Sequence, residues 1–313
     1  MKKILVTGAL GQIGSELVPY LRDIYGKDNI IASDKKRQDD SKAGDGIFEI
    51  LDVMDRSSLY EMVKKYNIDT IIHMAALLSA VAEEKPQFAW QLNMNGFTNT
   101  LGVARENNLK YFVPSSIAAF GPNSPKDNTP QDTIQRPTSM YGITKLSAEL
   151  LCDYYHLKYG LDTRSVRFPG LISYVTPPGG GTTDYAVKIY YDAIKFGKYS
   201  CYLREDTYMD MMYMPDAIKC IVQLMESDPS RLKHRNAFNV SAMSFSPKEI
   251  SREIKKIIPE FTISYDIDED KQKIADSWPN SIDCTCAIEE WDFKPEYDLA
   301  SMTKDMIDKL KTK

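Results

Sequence analysis

Histidine is scarce in this sequence, with three in 313 residues, and cysteine contributes five. Cys284 and Cys286 stand as a Cys-x-Cys pair, but no second pair joins them and so few histidines leave a tetrahedral zinc set unassembled; no metal is expected. An odd, scattered set of thiols (Cys152, Cys201, Cys220, Cys284, Cys286) suits reduced cysteines in a cytoplasm-like compartment, so a cytoplasmic location is expected. Nowhere does an apolar run approach the ~20 residues that span a bilayer. The first run, Ile4 to Thr7, stops at Gly8, too short for a secretion signal, and no cleaved leader is expected. Positive charge is not in excess: the net charge is -5, which offers no footprint for nucleic acid or an anionic membrane surface. Internal repeats, low-complexity tracts and flexible linkers are missing too. What remains is a globular composition, 43% hydrophobic and 27% charged, on a chain long enough to bury a sizeable core.

Short apolar runs alternate with longer amphipathic ones through the first half. Strands are expected at Ile4–Val6, Asn29–Ser33, Ile47–Leu51, Thr70–His73, Tyr111–Val113 and Thr163–Phe168. Helices are expected at Gln12–Tyr25, Ser57–Tyr66, Pro86–Asn107 as one long element, and Met140–Tyr159. Continuously apolar strands separated by helices imply an α/β fold: a doubly wound parallel sheet of Rossmann type, covered on both faces. Beyond Phe168 the rhythm changes. The breaker cluster Pro177-Pro178-Gly179-Gly180-Gly181 is followed by helices at Asp184–Phe196, Asp216–Glu226, Pro247–Ile258 and Leu299–Lys311, with a short strand at Ala237–Val240. The expected division is a nucleotide-binding domain over 1–168, with segments returning at about 210–241, and a smaller C-terminal substrate lobe from 169–209 and 242–313.

The segment Thr7-Gly8-Ala9-Leu10-Gly11-Gln12-Ile13-Gly14 leaves the first strand and opens the first helix, the context a dinucleotide fingerprint requires. Gly8 permits the tight turn, Gly11 lets a pyrophosphate approach the backbone, and Gly14 lets helix and strand pack closely; the helix N-terminus adds N–H donors and a positive dipole. Asp34, twenty residues past Gly14, could accept hydrogen bonds from a ribose diol and would repel a 2′-phosphate, favouring NAD over NADP. Lys35, Lys36 and Arg37 follow, either as a solvated turn or as neutralisers of such a phosphate. Asp52 and Val53 could flank an adenine; alternatively Asp52, Asp55 or Ser57 caps the next helix.

Tyr141-Gly142-Ile143-Thr144-Lys145 places a phenol and an ammonium on one helical face. Taken in order, Thr7 to Gly14, Asp34, His73-Met74-Ala75-Ala76, Ser115-Ser116 and this segment resemble the extended branch of the short-chain dehydrogenase/reductase superfamily, over about half the chain. The resemblance implies NAD as cofactor, Tyr141 as general base, Lys145 as its activator and ribose holder, and Ser116 as a donor to the substrate oxygen. It adds Ala75, Ala76, Leu77, Asn93, Ser115 and Phe168 to the cofactor set. The chemistry fits those residue types: oxidising an alcohol requires removing its proton as hydride leaves. A phenol, with an ordinary pKa of about 10, needs neighbouring positive charge to do so near neutral pH.

Two features bear on the substrate. Extended-branch enzymes acting on nucleotide sugars carry an Arg where Met209 stands in Met209-Asp210-Met211-Met212-Tyr213, and a Met cannot grip a diphosphate. The second is the glycine-rich turn through Gly181-Thr182-Thr183 into a helix, which suits a small carboxylate and equally an ordinary helix cap. This segment and the Ser139-Met140-Tyr141-Gly142 context resemble the short-chain type of L-threonine 3-dehydrogenases. That resemblance implies oxidation of L-threonine, or a similar 3-hydroxy amino acid, at C3 to 2-amino-3-oxobutanoate. Thr182 and Thr183 would hold the carboxylate, and Ser79 and Trp278 would line the pocket; Trp278 reads equally as a core anchor. No carboxylate stands out as partner for the substrate ammonium. It also implies a homodimer through the Pro86 and Met140 helices. The rival readings are a nucleotide-sugar epimerase or dehydratase and a silent dinucleotide sensor; the presence of both Tyr141 and Lys145 disfavours the sensor.

Overall fold

The protein is described from a computed structural model, which covers all residues except 37–43, 178, 180 and 313. Arg37, Pro178 and Gly180 therefore lie outside the described residues. At the centre, β1 (Ile4–Thr7), β2 (Ile30–Asp34), β3 (Phe48–Ile50), β4 (Thr70–His73), β5 (Lys110–Phe112) and β7 (Thr163–Arg164) form a six-stranded sheet in the order β3-β2-β1-β4-β5-β7. Every neighbour pair is parallel. The order reverses beside β1, which opens a crevice past the carboxyl ends of β1 and β4, the usual ligand site of an open α/β sheet.

Successive residues on each strand face opposite cores. Ile4, Val6, Ile30, Ala32, Ile72 and Phe112 lie in one; Leu5, Ile31, Ile71 and Tyr111 lie in the other. Both faces are dry, which is why these strands read as unbroken apolar runs. The first face is covered by α1 (Gly14–Tyr25) and α8 (Met214–Glu226), the second by α2 (Arg56–Tyr66), α5 (Phe97–Glu106) and α6 (Met140–Tyr159).

Two expectations need correcting. Thr163–Phe168 is not one strand. It divides at Ser165 into β7, paired with β5, and β8 (Val166–Phe168), which lies between β6 (Ser115–Ser116) and β12 (Phe238–Asn239). The matching break between β5 and β6 falls at Pro114, which has no N–H for a ladder. Pro86–Asn107 is likewise not one regular helix: α4 (Pro86–Trp90) and α5 are joined by a π-helical turn, Gln91–Gly96, preceded by the short α3 (Ser79–Glu84). Such widened turns gather at functional sites, and this one carries Asn93. Its Gly96 packs on Val53, whose Cγ2 would lie 2.8 Å from an added Cβ.

The smaller lobe has its own core, built from α7 (Tyr185–Phe196), α9 (Pro247–Ile257) and α12 (Leu299–Lys311) with Tyr199, Met209, Phe245 and Trp278. Strands the sequence reading did not anticipate organise it. β10 (Lys198–Cys201) runs parallel to β14 (Thr262–Tyr265), and β11 (Met209–Tyr213) lies between β9 (Gly170–Ile172) and β13 (Met243–Phe245). Gly170 admits β11 closely, since Met211 Sδ would lie 2.4 Å from an added Cβ. The remaining helices are α10 (Glu269–Ser277) and α11 (Thr285–Trp291). Among the described residues, no helix is long and apolar enough to cross a membrane.

Candidate active site

The glycine turn is held open by its backbone. Gly8 has φ +67°, and a Cβ there would meet the Ala75 backbone nitrogen at 2.6 Å. A Cβ on Gly14 would meet the Gly8 carbonyl oxygen at 2.4 Å, so only hydrogen lets α1 dock on β1 here. Asp34 closes the turn from the end of β2: its Oδ2 accepts from Leu10 N at 3.1 Å and its Oδ1 from Lys35 N at 2.8 Å. Asp52 sits beside it, 3.2 Å from Lys35 Nζ. The cap of α2 is Asp55, which accepts from Ser57 N and Ser58 N, leaving Asp52 and Val53 at the edge of the turn.

At the other end of the crevice, α6 begins with Ser139 capping Gly142 N at 3.1 Å. Gly142 presses on the turn after β6, where an added Cβ would lie 2.2 Å from the Ala118 carbonyl oxygen. This close approach sets the Tyr141 phenol beside the Ser116 hydroxyl in one cleft. Lys145 is buried; its Nζ donates to the Pro114 carbonyl at 2.7 Å and stands 5.4 Å from the centre of the Tyr141 ring. The carbonyl preceding the strand break thus anchors the ammonium. Burial pushes the Tyr141 phenol up to about 12, with the Ser116 hydroxyl opposing, and pushes the Lys145 ammonium down to about 8, with Glu149 opposing. Loss of water resists charge on each group alone, whereas a positive ring bound in the cleft would favour the phenolate.

Under Lys145 lies a network the sequence reading missed. Glu149, one turn further along α6, forms a bidentate pair with Arg167 at 3.0 Å on each oxygen. Gln135 Nε2 donates to it at 3.1 Å, and Ser115 donates its hydroxyl to it as well. Ser115 lines the cleft, then, with its hydroxyl turned to Glu149. Asn93 reaches from the π turn to Leu77, accepting from its N–H at 2.8 Å and donating to its carbonyl at 3.2 Å, and so fixes the segment after β4.

One cleft gathers most of the expected residues. Gln12, Ile13, Ala76 and Phe168 line its sheet side; Ser79, Ser116, Tyr141 and Lys145 stand in the middle; Gly181, Thr182, Thr183 and Trp278 come from the lobe. Trp278 lines the cleft and also belongs to the lobe core. Ala75 and Asn93 line a smaller adjoining cavity with His73 and Lys145. Asp34, Asp52 and Val53 do not line this cleft and cluster beyond the glycine turn. Residues missed from sequence are Met74, Leu78, Pro114, Ile117, Pro169, Gly170, Leu171 and Asp184; Met74, Ile117 and Pro169 stand just past strand ends, which was the available signal for them. Asp184 Oδ2 accepts from Gly181 N at 2.7 Å, which fixes the turn before α7.

Met209 is fully buried in the lobe core, away from any role as a phosphate grip. The glycine cradle, the acidic group closing it and the Tyr–Lys pair make a site that fits a nicotinamide dinucleotide, with Gly8, Gly11, Gly14 and the start of α1 as its holders.

Residues 4–241 match the model of the NAD dependent epimerase/dehydratase family. An L-threonine dehydrogenase structure from Clostridium difficile is 63% identical with TM-score 0.98, covering 100% of this chain and 98% of that one. One from Phytophthora infestans is 48% identical with TM-score 0.96, over 99% of both chains. An uncharacterized epimerase/dehydratase of Staphylococcus saprophyticus is 57% identical over 100% of this chain and 98% of its own length.

Proposed function

Because the chain belongs to the NAD-dependent epimerase/dehydratase family, as an NAD-dependent enzyme of the extended short-chain dehydrogenase/reductase branch, we propose that it oxidises L-threonine at C3 to 2-amino-3-oxobutanoate. The observation that carries this reading is that Tyr141 and Ser116 share one cleft with the Gly181–Thr183 turn. A reacting hydroxyl and a carboxylate two carbons away can be held there together. The turn offers N–H groups and two hydroxyls to a small anion. The absence of a cationic fork at Met209 weighs against a diphosphate, as does the threonine dehydrogenase activity named for the Clostridium and Phytophthora structures.

In this mechanism the Ser116 hydroxyl hydrogen-bonds the C3 oxygen and positions it against Tyr141. Tyr141, as phenolate, takes the hydroxyl proton. Lys145, held by Pro114, supplies the positive charge that favours the phenolate and would hold the nicotinamide ribose. When bound, the nicotinamide supplies the hydride acceptor. Asp34 would hold the ribose diol and so favour NAD over NADP. Thr182 and Thr183 bind the carboxylate, and Trp278 and Ser79 close the pocket.

The active form is a homodimer in this proposal. Phe88 and Trp90 of α4 and Ile143, Leu150, Tyr154 and Leu157 of α6 are exposed apolar side chains, and those on α6 recur at the spacing of one helical face. Light scattering at micromolar concentration should give twice the chain mass. The functional test mixes protein, NAD and substrate and follows NADH absorbance. Reduction of NAD with L-threonine, and none with UDP-glucose, supports the proposal; the reverse pattern, or turnover of bound NAD without net NADH, establishes the epimerase reading instead.

A further inference from the structure

At the edge of the sheet opposite the cleft, His234, Cys286, Asp132 and Glu290 converge from three separate stretches of chain. His234 precedes β12 by four residues, and β12 runs parallel to β8, whose far end, Phe168, lines the cleft. Cys286 and Glu290 lie one turn apart on α11. His234 Nδ1 stands 2.5 Å from Glu290 Oε1, and the other Glu290 oxygen accepts from Lys233 N at 2.5 Å and His234 N at 3.1 Å. A carboxylate so placed requires the proton on Nδ1 and turns the Nε2 lone pair outward. Nε2 faces Cys286 Sγ at 4.0 Å and Asp132 Oδ2 at 3.5 Å.

We propose that Nε2 of His234, the Cys286 thiolate and the Asp132 carboxylate bind a zinc-like divalent cation, with Glu290 as the outer carboxylate that orients the imidazole. In a tetrahedral zinc site, ligand atoms at ordinary bond lengths are about 3.4–3.6 Å apart. Nε2 stands within about half an ångström of that spacing from both Cys286 Sγ and Asp132 Oδ2. The carboxylate–histidine–metal relay is the usual second contact of a zinc-bound imidazole. Imidazole with thiolate and one carboxylate suits zinc rather than calcium or magnesium. Asp132 is exposed, which leaves the fourth position to water and the site open to exchange. Cys284 takes no part, since its thiol points to the Ile282 carbonyl. The site ties α11 to the loop before β12.

The test titrates chelator-treated full-length protein with Co2+ and then Zn2+. Expected are one Co2+ per chain, a thiolate-to-cobalt charge-transfer band in the near ultraviolet, its loss when Zn2+ is added, and a Tm raised by the metal. Cys286→Ser should abolish the band while keeping the metal-free Tm of the parent. His234→Gln should do the same should the serine variant fold poorly, and Glu290→Gln should weaken binding about tenfold or more. Absence of a band, or a band that survives Cys286→Ser, overturns the proposal.

Discussion

The two walls of the cleft are built by different physics. The sheet wall is backbone: Gly8 and Gly14 sit where a Cβ would strike main-chain atoms at 2.6 and 2.4 Å. The lobe wall is side chain: Thr182, Thr183 and Trp278 reach it because the core of Tyr185, Met209 and Phe245 holds them there. A backbone wall can recognise what is constant, the phosphates of a dinucleotide, whereas a side-chain wall can be varied to choose a substrate. Tyr141 and Lys145 stand where the walls meet.

The strongest test of that division acts at the seam. Tyr141→Phe should lower kcat by about 10²–10⁴, the usual weight of a general base, while NAD binding followed by fluorescence titration stays near the parent value. Unchanged turnover would move the base elsewhere. The next largest effect belongs to the sheet wall. Gly14→Ala forces a Cβ against the Gly8 carbonyl, costs about 1–3 kcal/mol of overpacking, and should depress Tm and NAD affinity together. A variant that binds NAD normally would show that the turn yields more readily than its geometry implies. On the lobe wall, Thr182→Ala should raise KM for L-threonine about tenfold, the loss of one hydrogen bond to a charged group, with NAD affinity unmoved. A matching loss of NAD affinity would erase the distinction between the walls.

The same contrast explains what could be read from sequence. Gly8, Gly11, Gly14 and the Tyr141–Lys145 pair stand at short fixed spacings inside ordered motifs, so the sequence reveals them even though Gly8 meets Ala75 and Lys145 bonds Pro114. Sheet strands such as Ile4–Thr7 declare themselves because both faces are buried. By contrast, β9 and β11 depend on Gly170 meeting Met211, forty-one positions away. Short strands such as Met209–Tyr213, without β-branched residues, carry little local signal. Glu149 finds Arg167 across eighteen positions, and His234 meets Cys286 across fifty-two. The π turn escaped because a helix that widens for one turn keeps its apolar period on either side. Thr163–Phe168 looked like one strand because changing partners at Ser165 alters no residue type.

The two regions should also differ in how acid and base affect their stability, and this is the smallest effect. His73, buried on β4 with its Nδ1 2.8 Å from Thr7 Oγ1, has its pKa pushed down to about 3 by burial and by the Lys145 charge. Between the ordinary histidine value of about 6.5 and that depressed value the unfolded chain binds the proton and the native state does not, so the sheet loses stability as pH falls through that range. Asp210 on β11 is the reverse case. Its Oδ1 accepts from Ser241 at 2.7 Å, its Oδ2 has no hydrogen-bond partner among the described residues, and burial raises it to about 7. From about pH 4 up to that raised value the native state holds the extra proton, so the lobe loses stability as pH rises. Asp210→Asn removes that slope without removing the acceptor for Ser241. Thermal melts of parent and variant at pH 5 and pH 8 should therefore diverge, the parent losing more on the alkaline side. A single pKa unit of difference is worth about 1.4 kcal/mol, or roughly 2–4 °C. Parallel melts at both pH values would mean that Asp210 ionises freely in the folded lobe, and the contrast between the two regions would then rest on geometry alone.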